Sequence, residues 1–359
     1  MFIYLDKSIV DKLSEPVPAN IQDSIQGLAF MLRTGVHLVS GDLVALIKIS
    51  HLTEISDSAR SAFSRAAARQ TQINTIISKL NTYCLITSEG EHVTVSETNN
   101  QRIITIPIAL VSNLVSQIAT DVIYEDINDA EIYNKVTKWY CKDIVGSSNL
   151  PLKSQSIQGG GSRTYATYSE KQNDAKTFCL CITDSDKKYP TDTPGETSKK
   201  VREVENLSLP LSFHLDLDFH EIENLIPLSI LNSVARTPES KRIISLLKNA
   251  EENGFGEAKL YWDYKKGLRA HYSKIDGNYK NYWNSAIGIG DIECGEACTA
   301  KHCSCFLLDP WPLKQDLNAL ISEQKEISPA ECCKLTAIWE KIGGTLLSWT
   351  IGSPPQAFL

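Results

Sequence analysis

Short apolar runs alternate with longer amphipathic stretches through the first two-thirds of the chain. Residues 2–5, 36–39, 83–87 and 103–108 are brief runs rich in Ile, Leu, Val and Tyr, and they predict strands. Residues 21–32, 42–49 and 57–80 carry apolar positions at helical spacing and predict helices. The polar stretch 89–101 between the last two strands reads as a loop. Residues 1–110 are therefore expected to form an N-terminal α/β or α-rich domain.

A stricter alternation follows. Predicted strands at 122–124, 178–183 and 212–217 are separated by predicted helices at 130–140 and 198–206. Asp129 stands near the N-cap of the first of these helices. Strands that alternate with helices argue for a parallel sheet of βαβ units, here over residues 119–232. Residues 233–359 form a C-terminal extension, with predicted helices near 230–249 and 329–347.

Length and charge narrow the classes. A chain of 359 residues, 42% of them hydrophobic, is long enough for two or three domains with substantial cores. A net charge of -7 argues against a globally basic nucleic-acid coat but leaves room for a local basic patch. No apolar segment is long enough to span a bilayer, and Met1-Phe2-Ile3-Tyr4-Leu5-Asp6 lacks the basic start and long apolar core of a secretory signal. A cytoplasmic location without membrane contact is expected, with the 10 cysteines reduced.

The chemistry concentrates where strands end. The run Phe178-Cys179-Leu180-Cys181-Ile182-Thr183 stops at Asp184-Ser185-Asp186. Glu125 closes the preceding strand, Asp129 follows it at the start of a helix, and Glu221 and Glu223 follow the next strand. In a parallel sheet these ends open on one edge, where ligands bind. Hard divalent cations take carboxylate oxygens, so Glu125, Asp129, Asp184, Asp186, Glu221 and Glu223 are candidate ligands for Mg²⁺ or Mn²⁺. Lys187 is a candidate for steadying a scissile phosphate, with a solvated turn as the alternative. Gly159-Gly160-Gly161 reads as a tight turn, with phosphate approach to its amides as the alternative.

The order Val122-Ile123-Tyr124-Glu125, Asp129, the glycine turn, then Asp184-Ser185-Asp186 resembles the TOPRIM fold of topoisomerases, primases and the nucleases of the overcoming-lysogenization-defect (OLD) family. The segment Glu221-Ile222-Glu223-Asn224-Leu225-Ile226-Pro227 is similar to segments of TOPRIM-like proteins in prokaryotic antiviral systems. The resemblance implies an α/β fold with a TOPRIM-like parallel sheet flanked by helices. It also implies a hydrolase, a magnesium-dependent nuclease acting on DNA or structured RNA in antiviral defence, with Glu125, Asp184, Asp186, Lys187 and Glu221 in catalysis. The family's usual glycine after the first glutamate is Asp126 here. No Gly-x4-Gly-Lys-Ser/Thr segment occurs, so an accompanying ATPase or regulatory subunit is expected to be a separate chain. A homo-oligomer is a further candidate assembly.

Two other segments carry candidate chemistry. Residues 259–283 interleave lysines with aromatics, and Lys265, Lys266, Arg269 and Tyr272 are candidate nucleic-acid contacts. The bland alternative is a β-rich core element with its tyrosines inward. Cys294, Cys298, Cys303 and Cys305, with His302 alongside, form a candidate structural zinc site, against reduced structural thiols. Two rival functions remain. A non-catalytic nucleic-acid or partner-binding sensor subunit could retain the TOPRIM-like fold. More weakly, Phe2-Ile3-Tyr4-Leu5-Asp6 resembles the first strand and acid of PIN-domain ribonucleases.

Overall fold

The computed structural model describes residues 1–114, 118–288, 294–295, 298–299, 303–312, 327–329 and 332–355. The protein is α/β, built on two sheets. The first has the order β2-β1-β3-β5-β4, from β1 (Phe2–Leu5), β2 (Leu38–Gly41), β3 (Thr82–Thr87), β4 (Thr94–Thr98) and β5 (Gln101–Pro107). All its pairings are parallel except β4 with β5. Helices α1 (Ala19–Thr34), α2 (Leu43–Ser50) and α3 (Asp57–Asn74) connect its strands, and a short α4 (Val111–Leu114) follows. The polar stretch expected to be a loop instead contains β4. Its burial pattern is almost wholly exposed, so it has no apolar alternation to reveal it. The long helix expected to reach Leu80 stops at Asn74 and gives way to a 3-10 turn at Ile77–Lys79.

The second sheet is wholly parallel, in the order β7-β6-β8-β9. Its strands are β6 (Thr120–Tyr124), β7 (Ser154–Gln158), β8 (Cys179–Thr183) and β9 (Ser212–Asp216). Side chains alternate across a strand, and both faces are covered. Val122, Tyr124, Leu180 and Ile182 pack in one core with Tyr133 and Val136 of α5 (Ala130–Tyr140). Ile123, Cys179 and Cys181 pack on the other face with Tyr168 of α6 (Thr164–Asp174) and Val201 of α7 (Glu196–Val204). Burial on both faces explains why β6 and β8 read as continuous apolar runs.

The C-terminal part contributes α8 (Leu228–Val234), α9 (Pro238–Glu252), α10 (Tyr272–Ile275), α11 (Gly277–Ile287) and α12 (Cys333–Thr350), with a small antiparallel pair β10 (Leu268–Arg269) and β11 (Phe306–Leu308). The 259–283 tract is thus mainly helix and turn, where the bland reading expected strands. Helix α12 starts later than residue 329 and runs back to the first sheet, where Ser348 Oγ accepts the Asn81 and Thr82 amides at 2.8 and 3.2 Å. One apolar cluster contains Ile3, Leu180, Trp262 and Trp339. The three expected segments therefore share a core. No helix among the described residues is long and apolar enough to cross a membrane.

Candidate functional site

The strand-end acids take their places from the parallel sheet. Glu125 follows β6, and Asp184 follows β8. Asp129 closes the 3-10 turn Ile127–Asp129 that leads into α5, and it accepts the Asp126 amide at 3.3 Å. Asp126 in turn accepts the Asn128 amide at 3.0 Å. With φ at -120°, Asp126 is unstrained and is consumed as a cap.

Two loops are stitched together around Asp186. Its amide donates to the His220 carbonyl at 2.8 Å, and the Gly195 amide donates to the Ser185 carbonyl at 2.7 Å. Asp186 is exposed and sits at φ 54°, a left-handed conformation that aspartate tolerates better than most residues. A Cβ on Gly195 would lie 2.3 Å from Asp186 Oδ2, so the close approach requires glycine.

The acids feel one another. Burial, and then the charges of Glu125, Asp129, Glu223 and Glu221, push the Asp184 carboxyl well above its usual range. Burial and then Glu223 raise Asp129 to about 7. Burial and then Glu223 likewise raise Glu221 to about 7. Glu125 is raised by burial and then by Asp186, against the Asp184 amide and the Thr197 hydroxyl, which donates to it at 3.4 Å.

One cation answers this cluster. Lys265 Nζ lies 2.8 Å from Glu223 Oε1 and 3.2 Å from Glu221 Oε2. Burial pulls its ammonium down, but the two glutamates outweigh that and hold it well above the ordinary lysine value. The pairing is incomplete: Glu221 Oε1 and Glu223 Oε2 are buried with no hydrogen-bond partner among the described residues. Lys265, expected as a nucleic-acid contact, is here the counter-ion of the acids. Lys187, expected at the phosphate, is paired with Asp218.

A second group adjoins the first. His220 donates from Nδ1 to the Lys187 carbonyl at 2.9 Å and approaches Asp263 at 3.4 Å through Nε2. Burial lowers the His220 imidazole, but Asp263 and Glu221 outweigh it, so its net shift is upward. Burial raises the Asp263 carboxyl, but the hydrogen bond from His220 leaves it below its usual range. His220, Glu221 and Asp263 place one ligand atom each within 4.8 Å of one another. Among the described residues only this trio and the four cysteines meet that spacing, and Glu125, Asp129, Asp184, Asp186 and Glu223 do not join it. His220 and Asp263 escaped the sequence reading. The signal available was an acid between two buried aromatics, Trp262 and Tyr264, and a histidine beside Glu221.

A cleft of about 560 Å³ opens here, lined by Asp186, His220, Asp263, Lys266, Arg269 and Tyr272. Lys188 Nζ lies 5.0 Å from the Tyr272 ring centroid, within cation–π range. Three of the four expected nucleic-acid residues thus line the cleft beside Asp186. Tyr261, Trp262, Tyr264, Tyr279 and Trp283 are buried core, as the bland reading held for the tract's aromatics.

The glycine turn links β7 to α6, with Gly160 at φ 81° and Gly161 at φ 58°. The Gly159 and Gly161 amides donate to the Tyr124 and Glu125 carbonyls at 2.7 and 3.4 Å, so these amides serve the turn. His302 lies outside the described residues. No family model, curated protein or solved structure matches this chain.

Proposed function

We propose that the chain is a divalent-metal-dependent nuclease that works at the C-terminal edge of its second sheet. The observation that carries this reading is the buried pair Glu221 and Glu223: Glu221 Oε1 and Glu223 Oε2 have no hydrogen-bond partner among the described residues, while one lysine serves both side chains. A buried carboxylate oxygen without a partner is costly, and a hard cation is the ligand such oxygens accept. Glu221, Glu223, Asp184 and Asp129 would hold Mg²⁺ or Mn²⁺, with Glu125 and Asp186 at the rim. When bound there, the ion supplies Lewis-acid polarisation of a phosphoryl oxygen and a more acidic water.

The chain's own groups supply the rest. Lys188, Lys266 and Arg269 offer positive charge along the cleft to a phosphodiester backbone, and Tyr272 offers a stacking face. His220 is oriented by the Lys187 carbonyl and by Asp263, and its upward shift suits it to carry a proton at the cleft wall. The TOPRIM-like resemblance supports DNA or structured RNA as substrate and an antiviral setting. The test is cleavage of both by the full chain with Mg²⁺ or Mn²⁺, with and without candidate partner ATPases. Metal-dependent cleavage that is lost in Asp184→Asn supports the reading, and cleavage unchanged in that variant overturns it.

A second reading has its own observation. Lys265 already bridges Glu221 and Glu223, as in a structural ion pair, and the strand-end acids do not close to common ligation distance. A non-catalytic nucleic-acid or partner-binding subunit fits that arrangement. Salt-dependent nucleic-acid binding that is unchanged in Asp184→Asn, by a chain inert with every metal, would favour it.

A further inference from the structure

Away from the strand-end acids, Cys294, Cys298, Cys303 and Cys305 bring four sulfurs together. All four lie within 4.8 Å of one another, and Cys294 Sγ is 3.3 Å from Cys303 Sγ. All are free thiols, and 3.3 Å is far beyond the roughly 2.05 Å of a disulfide bond. A tetrahedral ion with zinc–sulfur bonds of about 2.3 Å holds its thiolates about 3.8 Å apart. The observed spacing brackets that value. Thiolates on the corners of an iron–sulfur cube stand further apart, so the set suits a single ion. Four soft sulfurs without a carboxylate select zinc over the hard cations of the acidic site.

We propose that these four cysteines form a structural zinc site that fixes the wall of the cleft. The inference stands independently of the nuclease reading. Cys303 and Cys305 lead directly into β11, which pairs with β10 at Leu268 and Arg269. The Cys305 carbonyl accepts the Ala270 amide at 2.8 Å. Lys274 Nζ donates to the Gly295 carbonyl at 3.0 Å and places a cation beside what becomes an anionic tetrathiolate. The cysteines thus tie their own segment to residues 268–274, which carry Arg269 and Tyr272 into the cleft. Few apolar contacts are needed where a metal crosslinks a short irregular segment.

The measurement is the metal content of the full chain, purified under reducing conditions without chelators and read by elemental and native mass spectrometry. The expected result is about one zinc per chain. Replacement with Co²⁺ should give thiolate-to-metal charge-transfer and tetrahedral d–d absorption. Cys298→Ser and Cys303→Ser should lose the zinc, while Cys332→Ser keeps it. Should the site variants fail to fold, mercurial titration of the wild type gives a second readout, with zinc release tracking modification of four thiols. A chain that carries no zinc and retains none from a stoichiometric addition overturns the proposal. So does bound iron, or a mass deficit that shows disulfides in place of metal. Zinc content does not depend on Asp184, so Asp184→Asn should keep its zinc whether or not it has lost cleavage.

Discussion

The two sheets present the same kind of edge at their parallel strands and use its acids in opposite ways. In the first sheet, Asp6 follows β1 and accepts the Ser8 amide at 2.8 Å, and Asp42 follows β2 and accepts the Val44 and Ala45 amides at 2.9 and 3.3 Å. Each of these acids is a cap, satisfied by backbone donors. In the second sheet, Asp126 and Asp129 cap in the same manner, but Glu221 and Glu223 retain buried oxygens that no described residue satisfies. The difference teaches that an acid at a strand end is not a site. What marks the second edge is the convergence of more carboxylates than the local backbone and Lys265 can answer. Asp6, the acid of the weak PIN-like resemblance, is one of these caps.

Substitutions at the two edges test this contrast. The largest effect is expected from Asp184→Asn, which should reduce metal-dependent cleavage by about 100-fold or more in a nuclease assay. Asp6→Asn should leave cleavage unchanged, and equal losses in the two variants would erase the distinction between the edges.

Lys265→Met comes next. It leaves Glu221 and Glu223 buried without a cation. Losing one partner of a buried pair costs about 3–5 kcal/mol. Lys265 is 61% exposed, so a loss of about 1–2 kcal/mol is expected after screening. Denaturant unfolding measures it. Saturating Mg²⁺ should recover more stability in this variant than in the wild type, and no recovery would mean that lysine and metal do not share the same oxygens.

Asp42→Ala should cost about 1 kcal/mol through the lost cap, with metal binding unchanged by calorimetry. Any loss of metal affinity there would give the first edge a role that its hydrogen bonds do not.

A pH slope reads the same acids without a substitution. Asp129 and Glu221 are raised to about 7 in the folded chain from ordinary values of 3.8 and 4.5. Between those limits the folded chain holds protons that the unfolded chain has shed. Their contribution is therefore full below the unfolded values and is lost as pH rises through about 7. Without metal, thermal stability should fall from about pH 5 to about pH 8. The double variant Asp129→Asn with Glu221→Gln should flatten that slope, and an unchanged slope would place the protons elsewhere.

Much of the second edge was legible because strand, acid and helix are neighbours in sequence. Thr183 to Asp184 and Tyr124 to Glu125 announce themselves by an apolar run that ends in a carboxylate. The partners were not legible, because Lys265 and Asp263 reach the edge through long-range packing of the Ala258–Tyr261 turn and the buried Trp262. Strands β4 and β7 were missed for a different reason. Both are largely exposed sheet-edge strands with polar sequences, TVSET and SQSIQ, and their pairing is made by the backbone rather than by apolar faces.

The most direct measurement is a Mn²⁺ titration of the full chain followed by electron paramagnetic resonance, run on the wild type, Asp184→Asn and Asp6→Asn. Saturable binding is expected in the wild type and in Asp6→Asn, and its loss in Asp184→Asn. Equal binding in all three, or none in the wild type, would contradict it.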